Sequence, residues 1–413
     1  MNQSARSLLS INNYHYRRGG AEAVYFDHAA MFQEQGWQTA FFSMHHPENI
    51  SCEQDRYFVN ELELGQNYSV TQKLQMASKV VYSYEARAKL RSLLDVFRPD
   101  VAHVHSVYHH ISPAILPLLK SREIPVVLTA HDLKLLCPAY TMLSQGEICE
   151  RCKGGKISNV VRRKCIKDSA ALSGLIWAEA ALHGALQTYK NNVDIVVTPS
   201  QFYRQKFLEW GWADQQLRYI PNYVDASAYA PEYAAGDYFV YFGRLLRDKG
   251  VHTLIKATAA AGVRLVIAGT GPHAAEFEAL AAASKAQVEF AGYCSGEKLH
   301  GLIRGARAVV LPSEWYENAP ISILEAYALG KPVIGADIGG IPEMIEPNQS
   351  GWLFTSRSAD DLAERLRQAM LAPQTELVEM GRAGRAIVEQ RYTAAAYLHA
   401  MQNVYQQVGV SSQ

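Results

Sequence analysis

The alternation of short apolar runs with amphipathic stretches most limits how this chain of 413 residues folds. Runs such as Ser7 to Ile11, Pro125 to Thr129 and Ile195 to Thr198 are largely apolar along their whole length, not at every second position. Strands of this kind are typical of parallel sheets that are covered on both faces. Stretches with helical periodicity, such as Ala21 to Gln35, lie between them. The pattern predicts a doubly wound α/β architecture with parallel sheets.

The alternation pauses once and then starts again. Tyr223 to Asp237 is rich in Ala, Tyr and Pro and has little periodicity, so we interpret it as a linker. Before it, two more strands are predicted at Trp37 to Ser43 and Val101 to His105. After it, five more are predicted: Tyr238 to Gly243, Arg264 to Ala268, Val288 to Ala291, Ala308 to Leu311 and Pro332 to Gly335. We therefore expect two similar α/β domains.

Composition excludes several classes of protein. Lys and Arg total 40, as do Asp and Glu, so the formal net charge is zero, which disfavours general nucleic-acid binding. No apolar run reaches the ~18–20 residues of a membrane span. The apolar stretch at Leu8 to Ile11 is too short for a signal peptide. We expect a cytoplasmic protein.

The segment from Glu317 to Glu325 is the most informative motif. We expect Asn318 to cap a helix and Pro320 to lie in its first turn. Glu325 then lies about two turns inside, roughly 12 Å along the axis from Glu317, so both carboxylates can face one elongated ligand. The amides at the helix N-terminus suit an anion between them. This favours a ligand with a sugar at one end and a ribose at the other, although two solvated glutamates on a surface helix fit the spacing too.

Loops after other predicted strands of the second half supply cations and glycines. Arg244 and Lys249 can both turn toward the same anion, although exposed loop cations are the commoner case. Gly271 and the pair Gly339-Gly340 permit close approach of the backbone to a ligand, but each alone indicates only a turn.

The first half contributes two further candidates. Gly19 and Gly20 lie between the first predicted strand and helix, in a glycine-rich turn that suits phosphate but matches neither a Walker loop nor G-x-G-x-x-G. His131 follows a predicted strand and can bond a sugar hydroxyl or a developing charge, although a lone histidine is more often structural. Ligands of open α/β sheets bind beyond the carboxyl ends of the strands, where these residues lie.

Taken together, the motifs resemble glycosyltransferase family 4. The matching segments, in chain order, are Gly19 to Glu22, Asp100 to His105, Thr129 to Asp132, Pro199-Ser200, Ile220 to Asp225, Gly243-Arg244 with Lys249-Gly250, Glu317-x7-Glu325 and Gly330 to Val333. The resemblance spans nearly the whole chain. It implies the GT-B fold, in which two Rossmann-like doubly wound parallel-sheet domains face a central cleft. The implied domains are an acceptor-side domain, 1–217, and a nucleotide-sugar-binding domain, 218–392, with a final helix at about 393–413 that returns to the first.

The resemblance also implies roles for the candidate residues. Glu317 would hold donor-sugar hydroxyls and Glu325 the ribose hydroxyls. Arg244 and Lys249 would neutralise the diphosphate leaving group, and His131 would contact the sugar near the reacting carbon. The residues that supply backbone or line the nucleotide-sugar pocket would be Gly19, Gly20, Gly271, Asn318, Ala319 and Pro320.

The chemistry implied is retaining glycosyl transfer from a nucleotide-diphosphate sugar. UDP-sugars are favoured as donors and GDP-mannose also fits, while the acceptor would be a glycan or a polyprenyl-diphosphate-linked sugar in polysaccharide or glycolipid biosynthesis. The sequence has no Asp-x-Asp motif, which favours a metal-independent reaction with no required cofactor, in which fixed cations and amides stabilise the leaving group. No carboxylate nucleophile is evident, so we hypothesise a front-face mechanism.

Four cysteines stand apart from the family motifs. Cys137, Cys149, Cys152 and Cys165 form the pattern C-x11-C-x2-C-x12-C. Four thiolates with a central C-x2-C suit structural zinc, and free thiols are the alternative because the outer spacings are not those of a standard zinc ribbon.

The segment 151–186 combines basic and apolar residues. Its basic residues are Arg151, Lys153, Lys156, Arg162, Arg163, Lys164 and Lys167, and the apolar stretch Ala170 to Leu186 follows. This combination suits peripheral binding to the inner membrane surface or a polyprenyl-diphosphate acceptor. A solvated loop followed by a buried helix fits the same residues.

Two other functions remain open from the sequence. One is another enzyme of the same fold, such as a phosphorylase or an epimerase. The other is a catalytically weak protein that binds a sugar nucleotide as a regulator or scaffold. The complete set of cations, glutamates and His131 favours the transferase.

Overall fold

The computed structural model describes residues 6–61 and 69–410. The chain divides into two compact units. The first combines Met1–Pro199, Tyr203–Ile220 and Leu398–Gln413, and the second combines Ser200–Phe202 with Pro221–Tyr397. Each unit is built on one six-stranded parallel sheet, which confirms the predicted doubly wound α/β architecture.

The first unit contains one parallel sheet and a small hairpin. Its strands are β1 (Ser7–Asn12), β2 (Gln38–Phe42), β3 (Val101–Ser106), β4 (Val126–Thr129), β5 (Leu143–Ser144), β6 (Glu147–Ile148), β7 (Ile195–Thr198) and β8 (Leu217–Tyr219). Strands β5 and β6 pair antiparallel, and the other six form a sheet in the order β2-β1-β3-β4-β7-β8. The strand order reverses between β1 and β3, which is where ligands of open α/β sheets bind.

Eight helices begin in this part of the described chain. They are α1 (Gly20–Glu34), α2 (Val70–Val81), α3 (Tyr84–Val96), α4 (Leu116–Ser121), α5 (Asn159–Arg162), α6 (Ala170–Ala185), α7 (Thr188–Asn192) and α8 (Gln201–Glu209), of which α8 begins with two residues of the second unit.

The second unit repeats the architecture with a different strand order. Its strands are β9 (Tyr238–Phe242), β10 (Arg264–Ala268), β11 (Gln287–Gly292), β12 (Ala308–Leu311), β13 (Val333–Ala336) and β14 (Gly351–Phe354). The sheet order is β11-β10-β9-β12-β13-β14, and the order reverses between β9 and β12. The helices are α9 (Val251–Ala261), α10 (Ala274–Ser284), α11 (Gly296–Arg304), α12 (Ile321–Ala328), α13 (Ala359–Leu371), α14 (Gln374–Arg391) and α15 (Ala394–Gln407), and α15 passes into the first unit at Leu398.

Both faces of the second sheet are covered, which explains why its strands are apolar throughout. Phe239 and Tyr241 of β9 enter one hydrophobic core, and Val240 between them enters the other. The edge strand β11 differs, because its residues are only partly buried and Gln287 and Glu289 are exposed. A strand at an edge has fewer neighbours to cover it, and charged residues there discourage pairing with other chains.

Two strands of the six-stranded sheets were not predicted from the sequence, nor was the hairpin of β5 and β6. β8 and β14 have three and four residues, and each lies at an edge of its sheet. Runs this short do not establish a period, so sequence pattern alone does not detect them.

The expected linker is packed against the second unit. The N–H of Val224 donates to the Tyr392 carbonyl at 3.0 Å, and the Lys331 ammonium donates to the Ala234 carbonyl at 2.7 Å. The segment Tyr223 to Asp237 therefore belongs to this unit and is not a free connection.

The final helix expected at about 393–413 corresponds to α15. Its first turn is capped by Thr393, whose hydroxyl accepts from the Ala396 N–H at 3.1 Å. Residues 411–413 of the expected range lie outside the described residues. None of the helices in the described chain is long and apolar enough to cross a membrane.

Candidate functional site

The loops that follow β9 and β12 meet at the point where the strand order of the second unit reverses. The Lys249 ammonium lies 2.6 Å from Glu317 Oε1, and the Ser313 hydroxyl donates to the same oxygen at 2.6 Å. Lys249 also lies over the ring of Trp315, 4.8 Å from its centroid. The structure thus brings together two predicted site residues that are 68 positions apart in the sequence.

Glu317 is ionised in this arrangement. Burial alone would raise the pKa of its carboxyl, but the charge of Lys249 and the hydrogen bonds from Lys249 and Ser313 outweigh burial and lower it. The Glu317 side chain is 10% exposed and that of Lys249 is 20% exposed. The pair is therefore a largely buried ion pair that retains an opening to solvent.

Arg244 lies on the same loop as Lys249 and is exposed. Its backbone is fixed on both sides, because the Tyr241 hydroxyl donates to the Arg244 carbonyl at 2.9 Å and the Leu245 N–H donates to the Thr270 carbonyl at 2.9 Å. A rigid backbone with an exposed guanidinium suits recognition of a phosphate that arrives from solution.

The Lys249 loop ends at a glycine that no other residue replaces without strain. Gly250 has φ +70°, and a Cβ placed there would lie 1.8 Å from the Pro312 carbonyl oxygen. This close approach holds the loop after β9 against the end of β12. The approach therefore helps to place Lys249 opposite Glu317.

Glu317 precedes α12 and is not part of it, which corrects the helical spacing expected from the sequence. The helix begins at Ile321 after Pro320, whose backbone is extended, and no side chain caps it. Asn318 does not cap the helix, since its Oδ1 accepts from the Ser200 hydroxyl at 2.9 Å. Asn318, Ala319 and Pro320 thus form a connecting loop between β12 and α12, and their contact with a nucleotide sugar stays a prediction.

That loop is supported from behind by two contacts. The buried Asn222 donates through Nδ2 to the Ala319 carbonyl at 2.8 Å. The Gly340 N–H donates to the Glu317 carbonyl at 2.8 Å, and a Cβ on Gly339, at φ +61°, would lie 2.4 Å from the same oxygen. The Gly339-Gly340 pair forms a turn, as the sequence indicated, and its close approach in the free protein is to the Glu317 backbone.

Glu325 lies inside α12 and behaves differently from Glu317. Burial raises the pKa of its carboxyl to about 7, so both protonation states are populated near neutral pH. A raised pKa from burial alone marks a carboxyl that lacks a compensating charge in the free protein.

Gly271 lies between β10 and α10. It follows Thr270, whose carbonyl accepts from the Leu245 N–H at 2.9 Å, so this turn packs against the loop that holds Arg244. In the second unit the structure therefore gathers the loops that contain Arg244, Lys249, Gly271 and Glu317.

The first unit holds the remaining candidates at the end of β1 and the end of β4. Gly19 immediately precedes α1, Gly20 is its first residue, and both are exposed. Amides at a helix N-terminus favour anions, and contact of Gly19 and Gly20 with a phosphate stays a prediction. Arg18 lies over the Tyr14 ring at 4.4 Å, and Arg17 pairs with Asp27 at 2.5 Å.

His131 is half-buried after β4 and is uncharged at neutral pH, since burial lowers its pKa to about 4. Its Nε2 lies 2.9 Å from Nδ1 of His105 on β3. A neutral imidazole suits hydrogen bonding to a sugar and does not supply a fixed positive charge.

The four cysteines of the C-x11-C-x2-C-x12-C pattern lie before and after the hairpin of β5 and β6 in the sequence. Burial raises the pKa of Cys152 to about 12, and the thiols of Cys137, Cys165 and Cys149 are close enough to add to the shift. Within residues 6–61 and 69–410, no group of three or more His, Cys, Asp or Glu side chains is placed to hold a metal ion. Structural zinc at these cysteines therefore stays a prediction.

The basic segment is mostly exposed, and the apolar stretch after it is helix α6. One face of α6 is buried, with Ile176 and Glu179 inside, whereas Trp177 is 41% exposed and Leu186, just beyond the helix, is 56% exposed. The buried-helix interpretation is thus correct for one face, and the other face presents apolar groups beside the basic loop.

Sequence reasoning assigned no role to three residues that contact the candidates. Ser313 and Trp315 surround the Lys249–Glu317 pair, and His105 contacts His131. Each of these residues lies near or after the carboxyl end of a strand. Because the carboxyl ends of parallel strands lie at one edge of the sheet, their positions in the sequence could have identified them as neighbours of the site.

Two family models match the chain. The model for Glycosyltransferase Family 4 matches residues 18–228, about half of the chain. The model for Glycosyl transferases group 1 matches residues 230–386.

Individual proteins give a consistent comparison. An uncharacterized 42.6 kDa protein in the cps region of Klebsiella pneumoniae is 26% identical over 83% of this chain and 88% of its own length. The GDP-mannose-dependent alpha-(1-6)-phosphatidylinositol monomannoside mannosyltransferase of Mycobacterium tuberculosis is 28% identical, over 48% of this chain and 58% of its own. The crystal structure of Anabaena HepE with UDP-glucose has a TM-score of 0.67 at 17% identity and covers 97% of this chain and 99% of that one. The GT-B fold expected from the sequence is confirmed.

Proposed function

The chain belongs to glycosyltransferase family 4, and on that premise we propose that it transfers a sugar from a nucleotide-diphosphate sugar to a glycan or polyprenyl-linked acceptor with retention of configuration. The proposed donor is a UDP-sugar in preference to GDP-mannose. The proposed product belongs to polysaccharide or glycolipid biosynthesis.

The Lys249–Glu317 ion pair is the observation that carries the proposal. In the free protein Lys249 neutralises Glu317 at 2.6 Å, beside the exposed Arg244. A donor brings its own negative charge on the diphosphate and its own hydroxyls on the sugar. Lys249 and Arg244 then act on the diphosphate, and Glu317 accepts from the sugar hydroxyls, so each half of the pair exchanges one partner for another.

The same groups act on the reaction as the glycosidic bond to the diphosphate breaks. Negative charge grows on the leaving group while the sugar gains oxocarbenium character. Fixed cations and the backbone N–H groups of Asn318 and Ala319 stabilise the first charge without a divalent ion. We propose a front-face reaction, in which the acceptor attacks from the side of the departing diphosphate, with His131 bonded to the donor sugar.

The donor preference rests on the relatives. HepE is described with UDP-glucose and resembles this chain along nearly its full length. The mycobacterial relative, whose name specifies GDP-mannose, matches about half of the chain. Glu325 would bind the ribose in either nucleotide, so it does not distinguish between them.

Thermal unfolding with UDP, GDP, ADP and dTDP, each with and without EDTA, tests the donor site. A nucleotide at 100 times its dissociation constant adds ~2.7 kcal/mol to the free energy of unfolding, which raises the melting temperature measurably. We expect UDP to give the largest rise and EDTA to change nothing. A larger rise with GDP would overturn the donor preference, and no rise with any nucleotide would overturn the function.

Retention is tested on the product. The anomeric configuration of the transferred sugar, read by NMR coupling constants, is expected to equal that of the donor. Inversion, or a covalent sugar adduct on a protein side chain, would contradict the front-face proposal.

We also propose that the exposed basic segment binds an anionic membrane surface or the polyprenyl-diphosphate of the acceptor. Replacing Arg162, Lys164 and Lys167 by Glu reverses three positive charges, each of which contributes about 1 kcal/mol near an anionic surface. Binding to anionic vesicles should fall at least a hundredfold, whereas Lys285→Glu with Lys298→Glu, in the second unit, should leave binding unchanged. Equal binding of the native chain to neutral and anionic vesicles would refute the proposal.

Zinc at the four cysteines is tested by metal analysis of protein purified without a metal-affinity tag. One zinc per chain, lost in a Cys149→Ser variant, is the expected result. Protein without bound zinc would show that these thiols are free.

A further inference from the structure

Four histidines and two tyrosines form a ring cluster in the first unit, defined as His28, His103, His105, His131, Tyr25 and Tyr405. His103 and His105 are two positions apart on β3, so both side chains emerge on one face of the sheet. Their rings stack with centroids 4.6 Å apart and planes 23° apart. The edge of Tyr25 on α1 meets the His105 ring at 5.4 Å, and His28 lies 4.4 Å from His103.

Hydrogen bonds fix the inner part of the ring cluster. His103 Nδ1 lies 2.6 Å from the Tyr405 hydroxyl, and His103 Nε2 lies 2.8 Å from the Thr129 hydroxyl. The Tyr405 hydroxyl also lies 2.7 Å from His28 Nε2. Both nitrogens of His103 are thus used, and its ring is the rigid surface against which His105 stacks.

His105 and His131 meet edge to edge. Their planes differ by 14°, the two nitrogens are 2.9 Å apart and the ring centroids are 5.2 Å apart. In an imidazole ring the nitrogens lie about 1.1 Å from the centroid. Two such radii added to the nitrogen–nitrogen distance give the observed centroid distance, so the two centroids and the two nitrogens lie nearly on one line. With nearly parallel planes, the two rings therefore lie in one plane. The lone pair of one nitrogen therefore points along the N–H of the other, which is the best geometry for a hydrogen bond.

The second nitrogen of His105 indicates which ring donates. His105 Nε2 is buried and has no hydrogen-bond partner within the described part of the chain. A buried N–H without an acceptor is rare because it loses its bond to water without replacement. The proton of His105 therefore belongs on Nδ1, where it is donated to His131 Nε2.

We propose that His105 is a positioning residue that holds His131 in the neutral tautomer with its proton on Nδ1. His131 then offers a ligand an N–H donor, which recognises an oxygen lone pair of the donor sugar, and not a lone pair of its own. The inference rests on the proposed function for the role of that N–H, but not for the tautomer itself.

The surroundings of His131 favour the uncharged state. Burial holds the pKa of His131 at about 4, and burial with the neighbouring imidazoles holds the pKa values of His103 and His105 well below the usual range. Asp132, next in the chain, has its pKa raised by burial to about 6, against the opposing effect of Lys134. The titration of Asp132 thus contributes to the pH dependence of activity near pH 6. The protonation state of His131 must therefore be measured on His131 itself.

NMR of ¹⁵N-labelled histidine in the full chain tests the tautomer without any turnover. We expect the His131 Nδ1 to be protonated in the native protein. In His105→Leu the donor is lost, so both tautomers should appear and the pKa of His131 should rise. Asn places an amide N–H near the position of Nδ1, so His105→Asn should restore the native tautomer. A native His131 protonated on Nε2, or an unchanged spectrum in His105→Leu, would overturn the proposal.

Kinetics separate positioning from a merely structural role. We expect kcat of His105→Leu to fall on the order of a hundredfold with a nearly unchanged KM for the donor, because misplacement of a reacting group costs about that much. His105→Asn should recover most of the lost kcat. Tyr405→Phe, which alters the ring cluster away from His131, should keep the native tautomer. A lower kcat together with a higher KM in both His105 variants would instead indicate that the substitutions disrupt the folded structure. A native protein with the expected tautomer but no transfer would contradict the proposed function alone.

Discussion

Each unit buries titratable groups on or just beyond neighbouring strands of its own sheet, but the charge states of these groups differ between the units. In the second unit Lys249 and Glu317 stay charged and neutralise each other at 2.6 Å. In the first unit His103, His105 and His131 are kept neutral by burial and satisfy most of their nitrogens by hydrogen bonds. The Lys249 and Glu317 side chains of the second unit are therefore ionised and paired, whereas the three histidines of the first unit are neutral.

The difference follows from what each region is proposed to meet. A diphosphate leaving group needs opposing charge, and charges that are already in place cost no reorganisation during the reaction. A sugar ring is neutral and is recognised by directed hydrogen bonds, which need a fixed tautomer more than a charge. The following predictions test this division of labour.

Removing one charge from the second unit should have the largest effect. Lys249→Met leaves the buried carboxylate of Glu317 without its partner, which should lower the free energy of unfolding by about 3 kcal/mol. The transfer rate should fall roughly a hundredfold to a thousandfold, since a cation on the leaving group is lost. Denaturant unfolding and donor turnover measure the two effects.

The double variant Lys249→Met with Glu317→Gln is the matched control for that change. Both partners are then neutral, so most of the lost stability should return while the rate stays low. Recovery of the rate, or a double variant as unstable as the single one, would contradict a charged pair that acts on the diphosphate.

Truncating the neutral partner in the first unit should reduce catalysis but not nucleotide binding. His131→Ala should lower kcat on the order of a hundredfold, because a hydrogen bond to the reacting sugar is lost. The rise in melting temperature with UDP should stay as in the native protein, because His131 is proposed to bond the sugar of the donor and UDP carries no such sugar. The exposed His399 provides the control, and His399→Ala should change neither quantity. Equal losses in the two variants would remove His131 from the site.

Glu325 sharpens the comparison because it is a buried carboxyl without a compensating cation. The pKa of Glu325 is about 7 in the folded state and 4.5 when the group is exposed to water. Below pH 4.5 the carboxyl is protonated in both the folded and unfolded states and does not affect stability. Between pH 4.5 and about 7 the unfolded state loses the proton first, so the free energy of unfolding decreases as the pH rises. Glu325→Gln should therefore stabilise the free protein by roughly 2–3 kcal/mol at pH 8 and much less at pH 5. It should also weaken nucleotide binding, because an anionic acceptor for the ribose is lost.

Unfolding experiments at both pH values check this expectation. Glu364→Gln, which alters a carboxylate on the exposed face of α13, should change the free energy of unfolding by less than about 1 kcal/mol at either pH. A destabilised Glu325→Gln at pH 8 would mean that the carboxylate has a partner in the free protein.

The smallest expected effect concerns the interior of the ring cluster. Tyr405→Phe removes the hydroxyl that reaches both His28 and His103, and should lower the free energy of unfolding by about 1–3 kcal/mol. Catalysis should be nearly native, since His131 keeps its bond to His105. Tyr293→Phe, at a 73% exposed position, is the control and should have no effect. A large loss of activity in Tyr405→Phe would show that the cluster acts as one catalytic unit.

Sequence predicted the sheets well where strands are continuous and central. The bounds predicted for β7, β10 and β12 agree with the structure, because each of these apolar runs is followed directly by a proline or a glycine that ends it. The predicted start of α12, with Asn318 as its cap, was wrong. Asn318 is a favourable cap residue by type, but its side chain bonds Ser200, which no local pattern reveals.

The identities of several site residues were also predictable, whereas their pairings were not. Lys249 and Glu317 were each singled out as ligands for different parts of the donor, yet nothing in the sequence indicates that they neutralise each other. Likewise, His105 was visible only as part of a family motif. Its bond to His131 depends on the register of β3 with β4, which is a property of the folded sheet.

Tyr405 ties the assembly of the ring cluster to the order of protein synthesis. The cluster combines residues from the beginning of the first unit with a tyrosine that is made only after the whole of Pro221–Tyr397. The ribosome therefore completes the sequence of the second unit while His28 and His103 still lack the Tyr405 hydroxyl. Domains generally fold as they emerge, so the second unit can reach its native state first and the first unit must wait. A nascent chain stalled before residue 405 would expose an unfinished core of the first unit, and we expect chaperones to bind at this stage.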